Sequence, residues 1–262
     1  MIAKSIKGKS TSAIQLALEQ SMTDGFKPTL AICFISKSMD RNAISNLLDA
    51  VGISVFGCTT NGEFIDEETD KESAAILLLD MKKEYFHIYF HEFSEPNYRE
   101  AAQEIAKKAK EKFAVPAFFI GLSHHETDGE EVLRGLEDIV GKEVNAFGGG
   151  AGDDYAFKET VVFANGKDSN KAIVCIAIDE TKITVEGITT CGWKAVGTEK
   201  IVTKSEGNHV YTVDNVPVLD LTAKYGGLED VTPENKNLLL EIASSLPLQL
   251  QREKGDPVMR PG

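Results

Sequence analysis

The chain has 262 residues, 42% of them apolar and 26% charged, which is enough to build one large domain or two modest ones without disulfide or metal support. Its net charge of −13 disfavours nucleic acid and anionic lipid as main partners, because both are bound by releasing counterions to a basic surface. No apolar stretch reaches the roughly 18 residues that span a bilayer, and the N-terminus MIAKSIKGKSTSAIQ lacks an apolar signal core with a cleavage site, so a cytoplasmic protein without membrane insertion is expected.

In chain order, STSAIQLALEQSM (10–22) is an amphipathic helix. TLAICFIS (29–36) is a short apolar strand. DRNAISNLLDAVG (40–52) places Ala43, Ile44, Leu47, Leu48 and Val51 at helical spacing, and ISVFGCTTNGEF (53–64) runs from a second strand into a glycine-rich turn. The apolar strand of 73–80, a charged turn and an alternating strand to residue 90 follow. YREAAQEIAKKAKEKF (98–113) buries Ala102, Ile105, Ala106 and Ala109 on one face and reads as a crossover helix.

The same order then returns. PAFFIGLS (116–123) is a strand, and DGEEVLRGLEDIVG (128–141) is a helix whose Asp128 and Glu131 form a capping-box pattern. VNAFGGGAGDDY (144–155) is a strand entering a second glycine-rich turn, and KAIVCIAIDETKITVEGI (171–188) resembles 73–90. This points to an internal duplication, with repeats at about 29–93 and 116–188. The expected fold is α/β: a mixed sheet built from two β-α-β-β-β units related by a pseudo-two-fold, with flanking helices and parallel pairs from both copies in one central sheet. From 191 the texture changes to short strands with Gly and Asn turns, then a helix opened by Pro217. The boundary is therefore drawn between 1–190 and 191–262.

The glycine turns carry the candidate chemistry. Gly57 and Gly62 bracket Cys58, Thr59, Thr60 and Asn61, ahead of Glu63, at the carboxyl end of a strand, where α/β sheets bind ligands. Gly148, Gly149, Gly150 and Gly152 repeat the arrangement ahead of Asp153 and Asp154. Under the pseudo-two-fold, both turns face one pocket. Neither fits a nucleotide fingerprint: the lysine of a phosphate loop is missing, and GGGAGDD leads to strand-like VVFANG instead of a helix. The two acids suit an ammonium group, with Thr hydroxyls and backbone N–H groups for a carboxylate. The competing reading makes the glycines tight turns and the acids solvated turn residues.

SHHETDG (123–129) sets His124, His125, Glu126 and Asp128 in a loop at the same edge, where alternation lets at most one of the adjacent histidines enter a site. Cys58 with His124 can be written as nucleophile and base, although a buried, inert thiol is as natural at that strand end. The four cysteines stand singly, with no zinc spacing, so no metal is expected.

VFGCTTNGEF, AFGGGAGDD followed by VFANG, and GWKAVGTEKIVTKSEGNHVYTVDNVPVLDL together resemble the FIST family, a sensory domain found with signal-transduction modules, over roughly residues 25–225. The resemblance implies a ligand sensor and not an enzyme, with small molecules such as amino acids as ligands and a downstream signalling protein as partner. It also implies haem-based nitric oxide sensing in some members, for which His124, His125 or Cys58 would be axial candidates; otherwise no cofactor is expected. Carried over by position, Thr59, Thr60 and Glu63 of the first turn and Gly149, Asp153 and Asp154 of the second are the pocket residues, with Cys58 and His124 beside them. Asn61 stands where a small residue is usual, and Val216-Pro217-Val218 replaces Lys-Pro-Ala. The ending SLPLQLQREKGDPVMRPG resembles the opening of the family's C-terminal domain, whose remainder is expected to be missing from this chain.

Overall fold

The structure is a computed structural model and describes residues 1–66, 68–94, 96–123, 127–154, 156, 158–188, 193–207, 209–227, 238, 242, 245–251 and 257–260. It divides into two compact units, Met1–Ile188 and Thr189–Gly262.

In the first unit the chain runs β1 (Ala3–Gly8), α1 (Thr11–Ser21), β2 (Leu30–Ile35), α2 (Arg41–Asp49), β3 (Ser54–Thr59), the hairpin β4 (Glu63–Ile65) and β5 (Glu68–Asp70), and β6 (Ala74–Leu79). It continues through β7 (Phe86–Glu92), α3 (Tyr98–Lys112), β8 (Pro116–Leu122), α4 (Gly129–Val140), β9 (Ala146–Gly150), β10 (Val162–Ala164), β11 (Lys167–Ser169) and β12 (Ala172–Asp179). The helix starts follow from capping chemistry. Ser10 accepts from the Ala13 N–H, Asp40 from the Ala43 N–H, and Asp128 from the N–H groups of Glu130 and Glu131. The capping box at Asp128 is half realised, because the Glu131 carboxylate turns to Arg134 at 2.8 Å.

The mixed α/β class holds, but the strands form two main sheets instead of one. The first has the order β1-β6-β2-β3-β10-β11 and the second β7-β12-β8-β9. Each contains one parallel pair, β2 with β3 and β8 with β9, and in each the strand beside that pair is antiparallel: β6 against β2 and β12 against β8. Two sheets form because the strands are apolar on both faces and each face needs its own cover. Alternate residues of β2 and β3 (Ala31, Cys33, Ile35, Val55) pack with Ile14 and Leu18 of α1 and Ile44 and Leu48 of α2. Ile173, Cys175 and Ala177 of β12 pack with Ala102, Ile105 and Leu136 from α3 and α4. The opposite faces meet in a third cluster that joins Leu30, Phe56, Cys58 and Val162 of the first sheet to Val174, Ile176 and Ile178 of the second. The result is four layers, helix, sheet, sheet, helix.

Two strand expectations change with this. The strand of 86–92 leaves the first copy and pairs along the whole of β12, from Ala172 opposite Glu92 to Ile178 opposite Phe86. Residues 183–188, expected as the equivalent strand of the second copy, form no strand. Both edges of β12 are already taken by β7 and β8, so that segment has no ladder to join there, and Ile183 and Val185 pack onto the inter-sheet cluster instead.

The second unit holds β13 (Val202–Glu206), β14 (His209–Val213), β15 (Val216–Pro217), α5 (Val218–Gly226), β16 (Leu248–Leu250) and β17 (Val258–Arg260). Asp214 and Asn215, both at positive φ, turn β14 into β15. Pro217 stands at the N-cap position of α5, just before its first turn, with no side-chain capping bond, and β17 pairs antiparallel with β16.

Candidate functional site

The two glycine turns meet at the carboxyl ends of β3 and β9. Adjacent residues of the second turn tie both sheets together: the Ala151 N–H donates to the Leu122 carbonyl and the Gly152 N–H to the Thr59 carbonyl, each at 2.7 Å. One residue on, Asn61 of the first turn accepts from the Asp154 N–H through Oδ1 at 2.8 Å. Gly152 has to be glycine, because a Cβ would sit 2.6 Å from the Asn61 side-chain amide carbon and 2.9 Å from its backbone nitrogen. After a loop through 153–160 the chain returns as β10 against β3, with Val162 opposite Cys58.

Within this junction some of the expected site residues are spent on the fold. Thr59 is fully buried, and its hydroxyl accepts the Val161 N–H at 2.9 Å while its own N–H donates to the Val161 carbonyl. Glu63 is buried too; one carboxylate oxygen accepts from the Thr60 hydroxyl at 2.6 Å, the other from the Ser73 hydroxyl at 2.9 Å and its N–H at 3.3 Å. Asp153, buried, accepts the N–H groups of Lys158 (2.7 Å) and Glu159 (3.0 Å) and so shapes the loop that follows it. Cys58 lies in the inter-sheet layer, and burial pushes its thiol pKa up to about 12. A thiol of that kind is a core group and not a nucleophile at neutral pH.

Other groups remain presented to solvent. Asp154 is exposed, held at φ 57° by its contact with Asn61, and its carboxylate accepts from the buried Ser36 hydroxyl at 3.4 Å. Thr60 is half-buried and Gly149 exposed at the sheet edge, with nothing within 4 Å of where its Cβ would stand. His124, with His125 and Glu126, lies outside the described residues. The junction thus brings together Thr59, Thr60, Asp153 and Asp154, with Glu63 behind them, while Cys58 faces away into the core.

Sequence reading missed Ser36 and the bridging role of Asn61. A signal for Ser36 exists: both repeats end their first strand in serine, Ser36 in TLAICFIS and Ser123 in PAFFIGLS, and both are fully buried. Ser123 binds Ala172 in both directions, its hydroxyl donating to the carbonyl at 3.1 Å and accepting from the N–H at 2.7 Å.

Haem, which the family resemblance allows, needs an axial ligand facing a cavity wide enough for the macrocycle. Cys58 does not supply one, since a Cβ at Gly121 on the opposing sheet would already collide with its sulfur. Among the described residues no group of three or more His, Cys, Asp or Glu is arranged to hold a metal ion, and no helix is long and apolar enough to cross a membrane.

The first unit is thus a two-sheet α/β domain whose strand ends converge on an exposed carboxylate, beside a thiol locked in the core. The FIST N domain matches residues 29–216, well over half of the chain, and the chain belongs to the FIST family, sensory domains of signal transduction that are generally not catalytic. A comparison with curated proteins finds no match.

Proposed function

We propose that this chain is a non-catalytic sensory domain that binds a small polar metabolite, amino acids among the candidates, where the two glycine turns meet, and passes the bound state to a signalling protein in the cytoplasm. The observation that carries the reading is Asp154: an exposed carboxylate in a left-handed backbone conformation, at the junction of two turns that otherwise spend their polar groups on one another. A non-glycine residue at positive φ persists only where its surroundings hold it, and such strain gathers at binding sites. In this arrangement Asp154 takes the ammonium of a zwitterion, helped by a lone pair of the Thr60 hydroxyl, whose proton is given to Glu63, and backbone N–H groups of the turns take the carboxylate. Asp153 and Thr59 act from behind by fixing the loop. The reading calls for no prosthetic group and, at net −13, for no nucleic acid.

The test is a thermal-shift screen of amino acids and other small metabolites, in which a ligand at 100 times its Kd stabilises by about 2.7 kcal/mol. Against any ligand so found, Asp154→Ala is expected to weaken binding by about 2–4 kcal/mol and Thr60→Val by about 1 kcal/mol. Unchanged affinity in Asp154→Ala would move the site elsewhere.

A further inference from the structure

Beside the junction, an open surface depression of about 520 Å³ lies along the β4–β5 hairpin. The hairpin register sets Glu63 opposite Asp70 and Phe64 opposite Thr69. Successive side chains of a strand point to opposite faces, so the two pairs face opposite ways. The Glu63–Asp70 face is tied to the body of the first sheet, Glu63 through Ser73 and Asp70 through Lys9 at 2.8 Å and Lys7 at 3.4 Å. The other face carries Phe64 with Thr69 and, two pairs along, Gly62 and Lys71; these four line the depression together with Asn61 and with Glu63 and Asp70 at its inner side.

That outer face has an unusual composition. Phe64 is 73% exposed, although a side chain of its size contributes most when covered. Next to it Gly62, at φ 134°, leaves a notch without a side chain. Lys71 is exposed and makes no ion pair among the described residues, in a chain where acids outnumber bases by 41 to 28. Asn61 also lines the depression, and with its Oδ1 occupied by the Asp154 N–H its side chain offers Nδ2 as a donor. With Asp70 paired to Lys7 and Lys9, and Glu63 bonded to Thr60 and Ser73, the groups left for a ligand are a bare aromatic face, a gap beside it, a cation and an amide donor, which together match one ligand chemistry.

We propose that this face of the hairpin binds small carboxylates that carry a flat ring, at a site separate from the metabolite site at Asp154. The ring stacks on Phe64 over the notch at Gly62, offset in the way aromatic pairs prefer, and the carboxylate meets the Lys71 ammonium and the Asn61 Nδ2. Ring and charge are both required, because an exposed ion pair alone or a single stacked face alone contributes little.

The experiment is an NMR titration of the full chain, following backbone amides, with benzoate as the probe and acetate and benzyl alcohol as half-probes. Benzoate is expected to shift residues 61–71 saturably and to bind at least ten-fold more tightly than either half-probe. Phe64→Ala and Lys71→Met should each weaken benzoate ten-fold or more, with Phe64→Tyr retaining it; Phe64 and Lys71 are exposed, and spectra away from the hairpin report that the fold is kept. Benzoate binding unchanged in both variants, or acetate binding as well as benzoate, overturns the proposal. So does loss of benzoate binding in Asp154→Ala, which would place the probe at the junction instead. Failure of the metabolite site would leave the benzoate titration as it is, so the two readings fail separately.

Discussion

At residue 148 an added Cβ would collide with the Ile120 carbonyl oxygen and lie 2.8 Å from that residue's carbonyl carbon and nitrogen, on a backbone whose φ of 148° already disfavours L side chains. Two positions further into the same glycine run, Gly150 and its neighbour Gly149 have nothing within 4 Å and no such φ. Gly148→Ala is therefore expected to destabilise by about 2–4 kcal/mol, from overpacking against main chain and from strain, whereas Gly149→Ala should stay within about 0.5 kcal/mol of the parent. Urea unfolding of the two variants checks this, and equal midpoints would show that β9 shifts freely against β8. The contrast also marks what the sequence could and could not reveal. GGGAGDD is legible as a turn at a strand end, but which glycine is obligatory depends on Ile120, and which threonine is spent depends on Val161, 102 residues from Thr59. Such partners leave no trace in local spacing, so the two glycine turns at strand ends were readable and the division of their residues into exposed and fold-holding was not.

Among the elements, the helices were the most legible, since caps and apolar spacing are local: Ser10, Asp40 and Asp128 mark the starts of α1, α2 and α4 as their side-chain chemistry requires. The long apolar strands were legible too, but β1 and the β4–β5 hairpin were not foreseen, strand membership was not readable, and 183–188 failed as a strand because β7 holds the edge it would have used. What fixes α3 against α4 combines apolar packing with a charge cluster, in which the Arg99 guanidinium donates to both Asp138 oxygens at 2.7 and 2.8 Å and the Gln103 amide adds a third bond at 2.8 Å. The Arg99 bonds, with that of Gln103, hold the Asp138 carboxyl down to about 2. With a folded pKa below the unfolded value of about 3.9, the contribution of Asp138 is present above roughly pH 4 and is lost as pH falls through about 2. The gap in urea midpoint between wild type and Asp138→Asn should hold steady from pH 7 to 5, shrink below pH 4 and close near pH 2. The cluster is exposed and salt-screened, so the gap is expected to be small and to narrow in high salt. A gap that stayed constant down to pH 2 would remove the charge from the account and leave only packing.

For the first unit as a whole, the property that could not be read from the sequence is that two sheets, and not one, share the core. Apolar strands such as AIVCIAID announce burial on both faces, but periodicity is the same whether the covering layer is a helix or a second sheet. One contact in the inter-sheet layer shows how closely the sheets approach. Gly121 of β8 faces Cys58 of β3, and a Cβ there would collide with the Cys58 sulfur while lying 2.8 Å from Val174 Cγ1 and 3.2 Å from Phe56 Cζ. Gly121→Ala should accordingly cost about 1–3 kcal/mol by overpacking, and Cys58→Ala should cost about 1 kcal/mol or more by leaving a small void. In the double variant the new methyl enters space vacated by the sulfur, so its loss of stability should fall short of the sum by about 1 kcal/mol. The rescue stays partial because Val174 still crowds the position. Denaturant unfolding of the two single variants and the double variant measures the coupling, and strict additivity would mean that β3 and β8 are not packed face to face.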